Sequence, residues 1–219
     1  MRVLVLGSSG GIGSALVAAF EARGAEVTGL SRSEHGFDIT DQSSVDAHLE
    51  GLGTFERVIV ATGALEIGGA QPEKSIRAID AEAMAAQFAL NAIGPALVLR
   101  RAGTLLPRKG PSVMAVLSAR VGSIGDNHIG GWISYRAAKA AVNQIVHTAA
   151  IEVARTHREA CVFALHPGTV ATRFTEKYVG RHPAVAPQEA AQNLLGVMEQ
   201  QGPEDTGRFL DWAGKEVVW

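Results

Sequence analysis

The sequence predicts an α/β fold, with a doubly wound parallel sheet between two layers of helices in a three-layer α/β/α sandwich. The apolar run Val3–Leu6 is continuous, as in a strand buried on both faces of a sheet. A glycine-rich turn and an amphipathic stretch from Ile12 to Phe20 follow it directly. The same alternation of strand-like and helix-like stretches continues along the chain, which is typical of parallel strands joined by helical crossovers.

The later elements follow from the same patterns. Further strands are predicted at Glu26–Leu30, Phe37–Ile39, Arg57–Ala61, Ser112–Leu117, Ala160–Leu165 and Arg208–Asp211. Helices are predicted at Gln42–Glu50, Asp80–Arg101, Tyr135–Arg155 and Gln188–Gln200. Too few residues separate Leu30 from the strand at 37–39 for a full helix, so we expect a loop or a single turn there. No linker, repeat or low-complexity tract divides the chain, so residues 1–219 are predicted to form one domain.

Composition excludes several classes of function. The chain has 219 residues, of which 47% are hydrophobic and 19% charged, so it can bury a large core. A net charge of -2 gives no reason to expect nucleic acid or an anionic membrane as partner. We see no stretch approaching the ~18 apolar residues of a membrane span and no signal peptide, so we expect a cytoplasmic location. The single cysteine, Cys161, lies in an apolar run and is expected to be a buried structural thiol, and we expect no metal site.

The glycine-rich turn has the position of a phosphate-binding loop. It reads Gly7-Ser8-Ser9-Gly10-Gly11-Ile12-Gly13. In a strand–turn–helix unit of the Rossmann type, the pyrophosphate of a dinucleotide lies on backbone N–H groups at the helix N-terminus. We therefore predict a dinucleotide site at Gly7, Ser9, Gly11, Ile12 and Gly13.

A tyrosine and a lysine stand four residues apart in the predicted helix at Tyr135–Arg155. This spacing places Tyr135 and Lys139 on one helical face, one turn apart. An ammonium group favours the phenolate and lowers a pKa that otherwise lies near ~10. The pair is therefore a candidate proton donor that works near neutral pH.

Five motifs in order resemble the short-chain dehydrogenase/reductase family over nearly the whole chain. They are the Gly-x-x-x-Gly-x-Gly spacing, Ala61-Thr62-Gly63, Asn91, the Tyr135/Lys139 pair and Pro167-Gly168-Thr169-Val170-Ala171-Thr172. The segments around Gly122–Ile124, Asp126-Asn127, Gly130–Trp132, His166–Val170 and Gly207–Trp219 are similar to the C-factor type and to sniffer-type carbonyl reductases.

The resemblance implies an NAD(P)-dependent enzyme that interconverts a carbonyl and an alcohol. Tyr135 is then the general acid or base, and Lys139 lowers its pKa and holds the nicotinamide ribose. Asn91 holds a water linked to Lys139, or alternatively satisfies a local break in its helix. Cofactor contacts are implied for Ala61, Thr62, Gly63, Pro167, Gly168, Val170 and Thr172, and His166 orders its loop.

One family position departs from the pattern. The family's catalytic serine, the second of a Ser-Ser pair, corresponds to Ala119 in Ser118-Ala119. Strand alternation predicts that Ser118 points to the other face. Either Ser123 supplies the hydroxyl, or a backbone shift brings Ser118 into the site, or the role is vacant.

The end of the second strand predicts the cofactor. Ser31 stands where an NAD-type enzyme usually has a carboxylate, and Arg32 can pair with a 2′-phosphate. We therefore predict that NADP(H) is preferred over NAD(H). The alternative is that Arg32 is a solvated surface arginine with no role in cofactor binding. Asp38 and Ile39 resemble the family's adenine-contacting pair, and Asp38 could equally cap the next helix.

The expected partner is a small-molecule carbonyl or alcohol. Gly122–Ile133 and residues 173–187 are predicted to form its walls, with Ile124, Trp132, Phe174 and Tyr178 as apolar lining or as packing residues. The family resemblance and the apolar helices at Ala81–Leu99 and Ala137–Ala154 predict a homodimer or homotetramer. The alternative function is a non-catalytic NADP-binding sensor of the same fold.

Overall fold

Six strands form one parallel sheet, seen in a computed structural model that describes residues 1–172, 175–177 and 184–219. The strands are β1 (Arg2–Leu6), β2 (Glu26–Leu30), β3 (Arg57–Val60), β4 (Ser112–Leu117), β5 (Ala160–His166) and β6 (Phe209–Asp211). Their order is β2-β1-β3-β4-β5-β6, and every neighbouring pair is parallel. The predicted doubly wound sheet is confirmed.

Helices connect the strands on both faces. They are α1 (Gly11–Glu21), α2 (Arg32–His35), α3 (Gln42–Leu49), α4 (Ala81–Phe88), α5 (Gly94–Leu99), α6 (Ala102–Leu105), α7 (Ile133–Ala154) and α8 (Pro187–Gln200). Single 3₁₀ turns lie at Ile76–Ala78, Arg120–Gly122 and Pro203–Asp205.

The alternating side chains of the strands form two cores, one on each face of the sheet. On one face Met114 and Val116 pack with Val142 and Val146 of α7, and α5 joins the same cluster. On the other face the alternate strand residues pack with α1 and α8. Strands buried on both faces explain the continuous apolar runs of the sequence, and the three-layer arrangement is confirmed.

The predicted strand at Phe37–Ile39 is wrong, so the sheet has six strands and not seven. After β2 the chain makes the short helix α2, which ends at Gly36 in the left-handed conformation (φ 69°). Residues 37–39 are irregular, yet Phe37 and Ile39 are 2% and 4% exposed and belong to the core. Their apolar character therefore reflects burial without strand pairing.

The predicted single helix at Asp80–Arg101 is interrupted. Between α4 and α5 lies a π-helical turn, Ala89–Ile93, in which the Gly94 N–H bonds to Ala89 O five residues back. Pro95 follows directly and has no N–H to continue the usual hydrogen bonding. The wider turn carries Asn91, which is fully buried.

The same stretch bears on the expected absence of a membrane span. By length and composition alone, Ala81–Leu99 could cross a membrane, with a mean hydropathy of 1.3, so the expectation that no stretch is apolar enough is wrong by this measure. Within the fold this stretch packs on α7 and buries the polar side chains of Gln87 and Asn91. A core helix passes the same test.

Candidate active site

The carboxyl ends of β1 and β3 form the point where the sheet reverses its winding. From β1 the chain proceeds to β2 on one side, whereas β3 and the later strands lie on the other. Open parallel sheets bind ligands in the crevice at this point. Gly7, with φ 91°, follows β1 here, and a Cβ on it would lie 2.9 Å from Ala61 O at the end of β3. Only glycine fits this contact.

Among the described residues, no hydrogen bond is made by the backbone N–H groups of Gly11, Ile12 and Gly13 at the start of α1. The helix N-cap is Gly10, which has no side chain to cap the first turn, and that turn contains no acidic residue. A Cβ on Gly13 would lie 2.0 Å from Gly7 O, so the turn closes only because this residue is glycine. An anion is stabilised at such a helix end.

Two buried hydroxyls beside this turn support a ligand at the crevice. Ser8 Oγ and Thr62 Oγ1 are buried with no hydrogen-bond partner in the part of the chain that the structure describes. Buried polar groups are nearly always paired, so such atoms call for a partner from outside the protein. The residues present therefore fit a dinucleotide.

The Pro167–Thr172 loop reaches the same turn. Gly168 has φ 79° and packs against the Trp212 ring. Val170 forms a bridge with Val185, and the Thr175 hydroxyl donates to Val170 O. At the end of the loop the Thr172 side chain lies over Gly11, where a Cβ would come within 2.5 Å of Thr172 Cγ2. The loop is thus brought onto the first turn of α1.

The end of β2 approaches the glycine-rich turn through serines. Ser31 is buried, and Arg32 is exposed at the first position of α2. The Ser33 hydroxyl donates to Ser9 Oγ at 3.0 Å, a contact that no sequence motif predicts. Arg32, Ser33 and Ser9 therefore lie at one corner of the crevice.

Asp38 and Ile39 behave differently from one another. Asp38 Oδ1 accepts hydrogen bonds from the Thr40 hydroxyl at 2.7 Å and the Thr40 N–H at 2.9 Å, and these bonds lower the pKa of Asp38. The cap of α3 is Asp41, so the alternative that Asp38 caps this helix is wrong. The Ile39 side chain packs against Gly94 inside the core, which leaves its backbone as the group that could reach a cofactor.

Tyr135 and Lys139 lie one turn apart on α7, as the spacing predicts. They are 5% and 3% exposed, and Lys139 Nζ lies 5.8 Å from the centre of the Tyr135 ring. Lys139 Nζ donates to Leu117 O, the last residue of β4, at 3.0 Å.

The expected lowering of the Tyr135 pKa by Lys139 is wrong for this structure. Burial raises the pKa of Tyr135 above its usual range and lowers the pKa of Lys139 from 10.5 to about 8. Both charged forms lose hydration on burial, and this loss causes both shifts. At neutral pH the tyrosine is therefore a protonated phenol beside an ammonium.

Asn91 ties the π-helical turn to the segment after β3. Its Nδ2 donates to Ala64 O at 2.9 Å and to Gln87 Oε1 at 2.7 Å, and its Oδ1 accepts from the Ala64 N–H at 3.3 Å. A Cβ on Gly63 would lie 2.9 Å from Asn91 Oδ1 and 3.6 Å from Lys139 Nζ. The Asn91 side chain therefore holds the segment after β3 and the Gln87 side chain, and these bonds do not go to the backbone of its own helix.

The two candidate serines occupy different surroundings. Ser118 Oγ donates to Asn143 Oδ1 at 2.5 Å, and Asn143 stands eight residues beyond Tyr135 on α7, about 12 Å along the helix axis. Ser118 thus faces α7, as Met114 and Val116 do, with its hydroxyl engaged about two turns beyond Tyr135, and the choice between Ser118 and Ser123 stays a prediction. Ser123 is buried and its Oγ accepts from the Asp126 N–H at 3.0 Å, directly after Gly122, which packs on the Lys139 backbone.

His166 and Cys161 are not assigned a part in proton transfer. Burial lowers the pKa of His166 to about 4, so this histidine is neutral at physiological pH. Cys161 is buried as predicted, and burial raises the pKa of its thiol to about 12. Neither group is a nucleophile or acid in this state.

The predicted substrate walls are described in part. Trp132 places its ring edge-on to the Tyr135 ring, with centroids 6.4 Å apart, and Ile124 is exposed. Phe174 and Tyr178 lie outside the described residues. Two residues that no sequence motif predicts, Glu73 and Gln87, line a small cavity with Tyr135. Gln87 had a signal in its i, i+4 spacing from Asn91, whereas Glu73 stands in a loop and had none.

Known proteins resemble this chain at the level of sequence. A family model described as short chain dehydrogenase matches residues 1–182. A 1-hydroxy-2-glutathionyl-2-methyl-3-butene dehydrogenase of Rhodococcus sp. (strain AD45) is 30% identical over 99% of both chains. The C-signal protein of Myxococcus xanthus is 35% identical over 64% of this chain and 81% of its own.

Solved structures share the fold. A short-chain dehydrogenase/reductase from Burkholderia multivorans with bound NADP has a TM-score of 0.79 and 24% identity over 100% of this chain and 99% of its own. The carbonyl reductase Sniffer of D. melanogaster has a TM-score of 0.81 and 17% identity, with the same coverage. The resemblance to the C-factor and sniffer types is therefore confirmed, and the chain belongs to the short-chain dehydrogenase family.

Proposed function

We propose that this protein is an NADP(H)-dependent oxidoreductase that interconverts a carbonyl and an alcohol, with Tyr135 as the general acid or base. The observation that carries the proposal is the convergence of Tyr135 and Lys139 at the sheet edge that also bears the glycine-rich turn. When bound, the nicotinamide supplies or accepts the hydride, and the protein positions it and manages one proton.

The residues that would hold the cofactor follow the crevice. The open N–H groups of Gly11, Ile12 and Gly13 suit the pyrophosphate, and Arg32 and Ser9 suit a 2′-phosphate on the adenosine ribose. Ala61, Thr62 and Gly63 follow β3 at the crevice. The family resemblance implies that Pro167, Gly168, Val170 and Thr172 contact the nicotinamide, and in this structure Thr172 lies against Gly11. Lys139 suits the nicotinamide ribose.

Tyr135 can act as the acid in carbonyl reduction. Its phenol is protonated at neutral pH and can donate that proton to the carbonyl oxygen as the carbon gains hydride, although the raised pKa makes it a weaker acid than an ordinary phenol. The Lys139 ammonium, with a pKa of about 8, remains largely charged at pH 7 and stabilises the developing phenolate. Asn91 lies close enough to Lys139 to take part in resupplying the proton through water.

A hydroxyl that donates to the reacting oxygen is assigned to Ser123. It is buried in the segment packed against Lys139, whereas Ser118 is bonded to Asn143. The substrate is a small molecule that approaches beside Trp132 and Ile124. The name of the Rhodococcus relative makes secondary alcohols of glutathione conjugates one class to assay.

We further propose that residues 1–219 act as one domain, in the cytoplasm, as a homodimer or homotetramer. The single sheet that runs from β2 to β6 supports one domain. The exposed apolar side chains of Ile93 and Ile151 support association between copies of the chain.

The second candidate function is a non-catalytic NADP-binding sensor. Ala119 at the family's serine position and the similarity to the C-signal protein favour it. Retention of both Tyr135 and Lys139 favours the enzyme. The two functions differ in one measurable respect, since only the enzyme oxidises NADPH when given a carbonyl.

Tyr135→Phe should strongly lower turnover while NADP(H) still binds. The variant removes one hydroxyl, and loss of a general acid lowers kcat by roughly 10²–10⁴-fold. The measurement is NADPH absorbance with a panel of aldehydes, ketones, quinones and, in the reverse direction, glutathione-conjugated alcohols, with cofactor binding followed by fluorescence. Tight NADPH binding by the parent without turnover of any compound would favour the sensor instead.

Lys139→Met should lower turnover and raise stability. A pKa shift from 10.5 to about 8 corresponds to roughly 3 kcal/mol of destabilisation by the charged lysine, and losing the bond to Leu117 O removes about 1 kcal/mol of any gain. The cost is complete below pH 8 and disappears between pH 8 and 10.5, because there the unfolded state binds more protons. Denaturant titrations should therefore show a gain of about 2 kcal/mol at pH 7 that shrinks over this window.

The matched control is Lys215→Met, since this lysine is exposed. It should change neither stability nor its pH dependence. If Lys139→Met is less stable than the parent at pH 7, or if its gain in stability grows above pH 8, the buried charge of Lys139 does not destabilise the fold.

Arg32→Asp should weaken NADP(H) binding and leave NAD(H) binding unchanged or tighter. A 2′-phosphate loses a bidentate cation and meets a carboxylate, which we expect to cost at least about tenfold in affinity. Titration of both cofactors measures it, with the exposed Arg155→Asp as a control of equal charge change. Unchanged NADP affinity in Arg32→Asp would show that Arg32 is only a surface residue.

Ser123→Ala should lower turnover, whereas Ser118→Ala should mainly lower stability. Loss of one oxyanion donor costs roughly 10²–10³-fold in kcat. Removing the Ser118 hydroxyl leaves the buried Asn143 Oδ1 without its donor, a penalty of about 1–3 kcal/mol. Steady-state kinetics and denaturant titrations of both variants separate the effects, and full turnover in both would mean that the donor role is vacant.

A further inference from the structure

The start of α7 is held by a residue from a distant part of the sequence. Glu73 lies between β3 and α4 and is only 8% exposed. Its carboxylate accepts hydrogen bonds from the Ser134 N–H at 3.2 and 3.3 Å, and from the Ser134 hydroxyl. Its backbone carbonyl accepts from the Trp132 N–H at 2.6 Å. One residue therefore pairs two of the N–H groups at the beginning of this helix.

The backbone that enters α7 needs such support. Gly130, Gly131 and Trp132 have successive φ values of 70°, 68° and 52°. Trp132 is the one non-glycine residue with a positive φ in the described ranges, and as N-cap it provides no side-chain cap to the helix. A left-handed non-glycine residue persists where surrounding contacts hold it. The bonds to Glu73 are made at this residue and two residues later.

The residue that follows Ser134 is Tyr135. Glu73, Gln87, Ser134 and Tyr135 line one cavity of about 10 Å³, which is room for about one water. The Trp132 ring meets the Tyr135 ring edge-on. Tyr135 is thus flanked by the two residues that Glu73 holds, and movement of this first turn would move its phenol.

We propose that Glu73 is a positioning residue for Tyr135. Its carboxylate oxygens accept hydrogen bonds from Ser134 and so anchor the first turn of α7. This inference rests on the proposed function, in which Tyr135 transfers the proton. It assigns a role to a side chain that none of the sequence motifs includes.

The test compares Glu73→Ala and Glu73→Gln with the capping control Asp80→Ala. Asp80 caps α4 in the same manner, since its Oδ1 accepts from the Ala83 N–H at 2.9 Å, but α4 does not carry Tyr135. At a temperature where all variants are folded, Glu73→Ala should lose at least about tenfold in kcat relative to Asp80→Ala, because misplaced reacting groups are costly. NADPH affinity should stay within about twofold, and Glu73→Gln, which keeps one acceptor oxygen, should recover kcat to within about threefold of the parent.

Hydrogen exchange measured by mass spectrometry follows the anchor independently of turnover. Peptides that cover residues 133–138 should exchange at least about tenfold faster in Glu73→Ala, and close to the parent rate in Glu73→Gln and Asp80→Ala. Equal kcat in Glu73→Ala and Asp80→Ala, or unchanged exchange in Glu73→Ala, overturns the positioning role. If the parent protein shows no turnover but exchange is faster only in Glu73→Ala, the proposed function is overturned. The anchoring of α7 by Glu73 is then still supported.

Discussion

A buried ammonium group joins the helix that carries Tyr135 to the edge of the sheet. Lys139 is 3% exposed and donates to the carbonyl of Leu117, where β4 ends. Burying a charge with so few partners is costly, as the lowering of its pKa to about 8 shows. The rest of the site depends on this group, because Gly63 approaches the Lys139 side chain and Gly122 packs on the Lys139 backbone.

Glycines set how closely these parts approach. A side chain at Gly63 would meet Asn91 and Lys139, one at Gly122 would meet the Lys139 backbone, and one at Gly13 would meet Gly7 O. Each of these positions lies where two segments of backbone, or backbone and a catalytic candidate, come into contact. The glycines therefore act in packing as well as in turns, and a larger residue at any of them would separate the cofactor turn from α7 or distort the turn itself.

The sequence predicted the parts of the site that depend on local spacing. The glycine-rich turn after β1 and the four-residue separation of Tyr135 and Lys139 need only neighbouring residues, and both stand where predicted. The strand at 37–39 was wrong because burial and strand pairing leave the same apolar pattern, and Phe37 is buried without pairing. Asn91 could be placed on a helix, but its hydrogen bond to Ala64 joins residues 27 apart in sequence and could not be predicted.

The electrostatics could not be predicted from spacing either, because burial decides them. A solvent-exposed Tyr–Lys pair would have a lowered phenol pKa, whereas this pair is buried and the phenol pKa is raised. Glu73 shows the same dependence on tertiary structure, since its carboxylate meets Ser134 across 61 residues of chain. The Glu73 carboxylate accepts from Ser134, directly before Tyr135 on α7. The Leu117 carbonyl accepts from Lys139, one turn after Tyr135 on the same helix. The position of the phenol is therefore determined by two long-range contacts, and a change that loosens either one should alter proton transfer before it alters the fold.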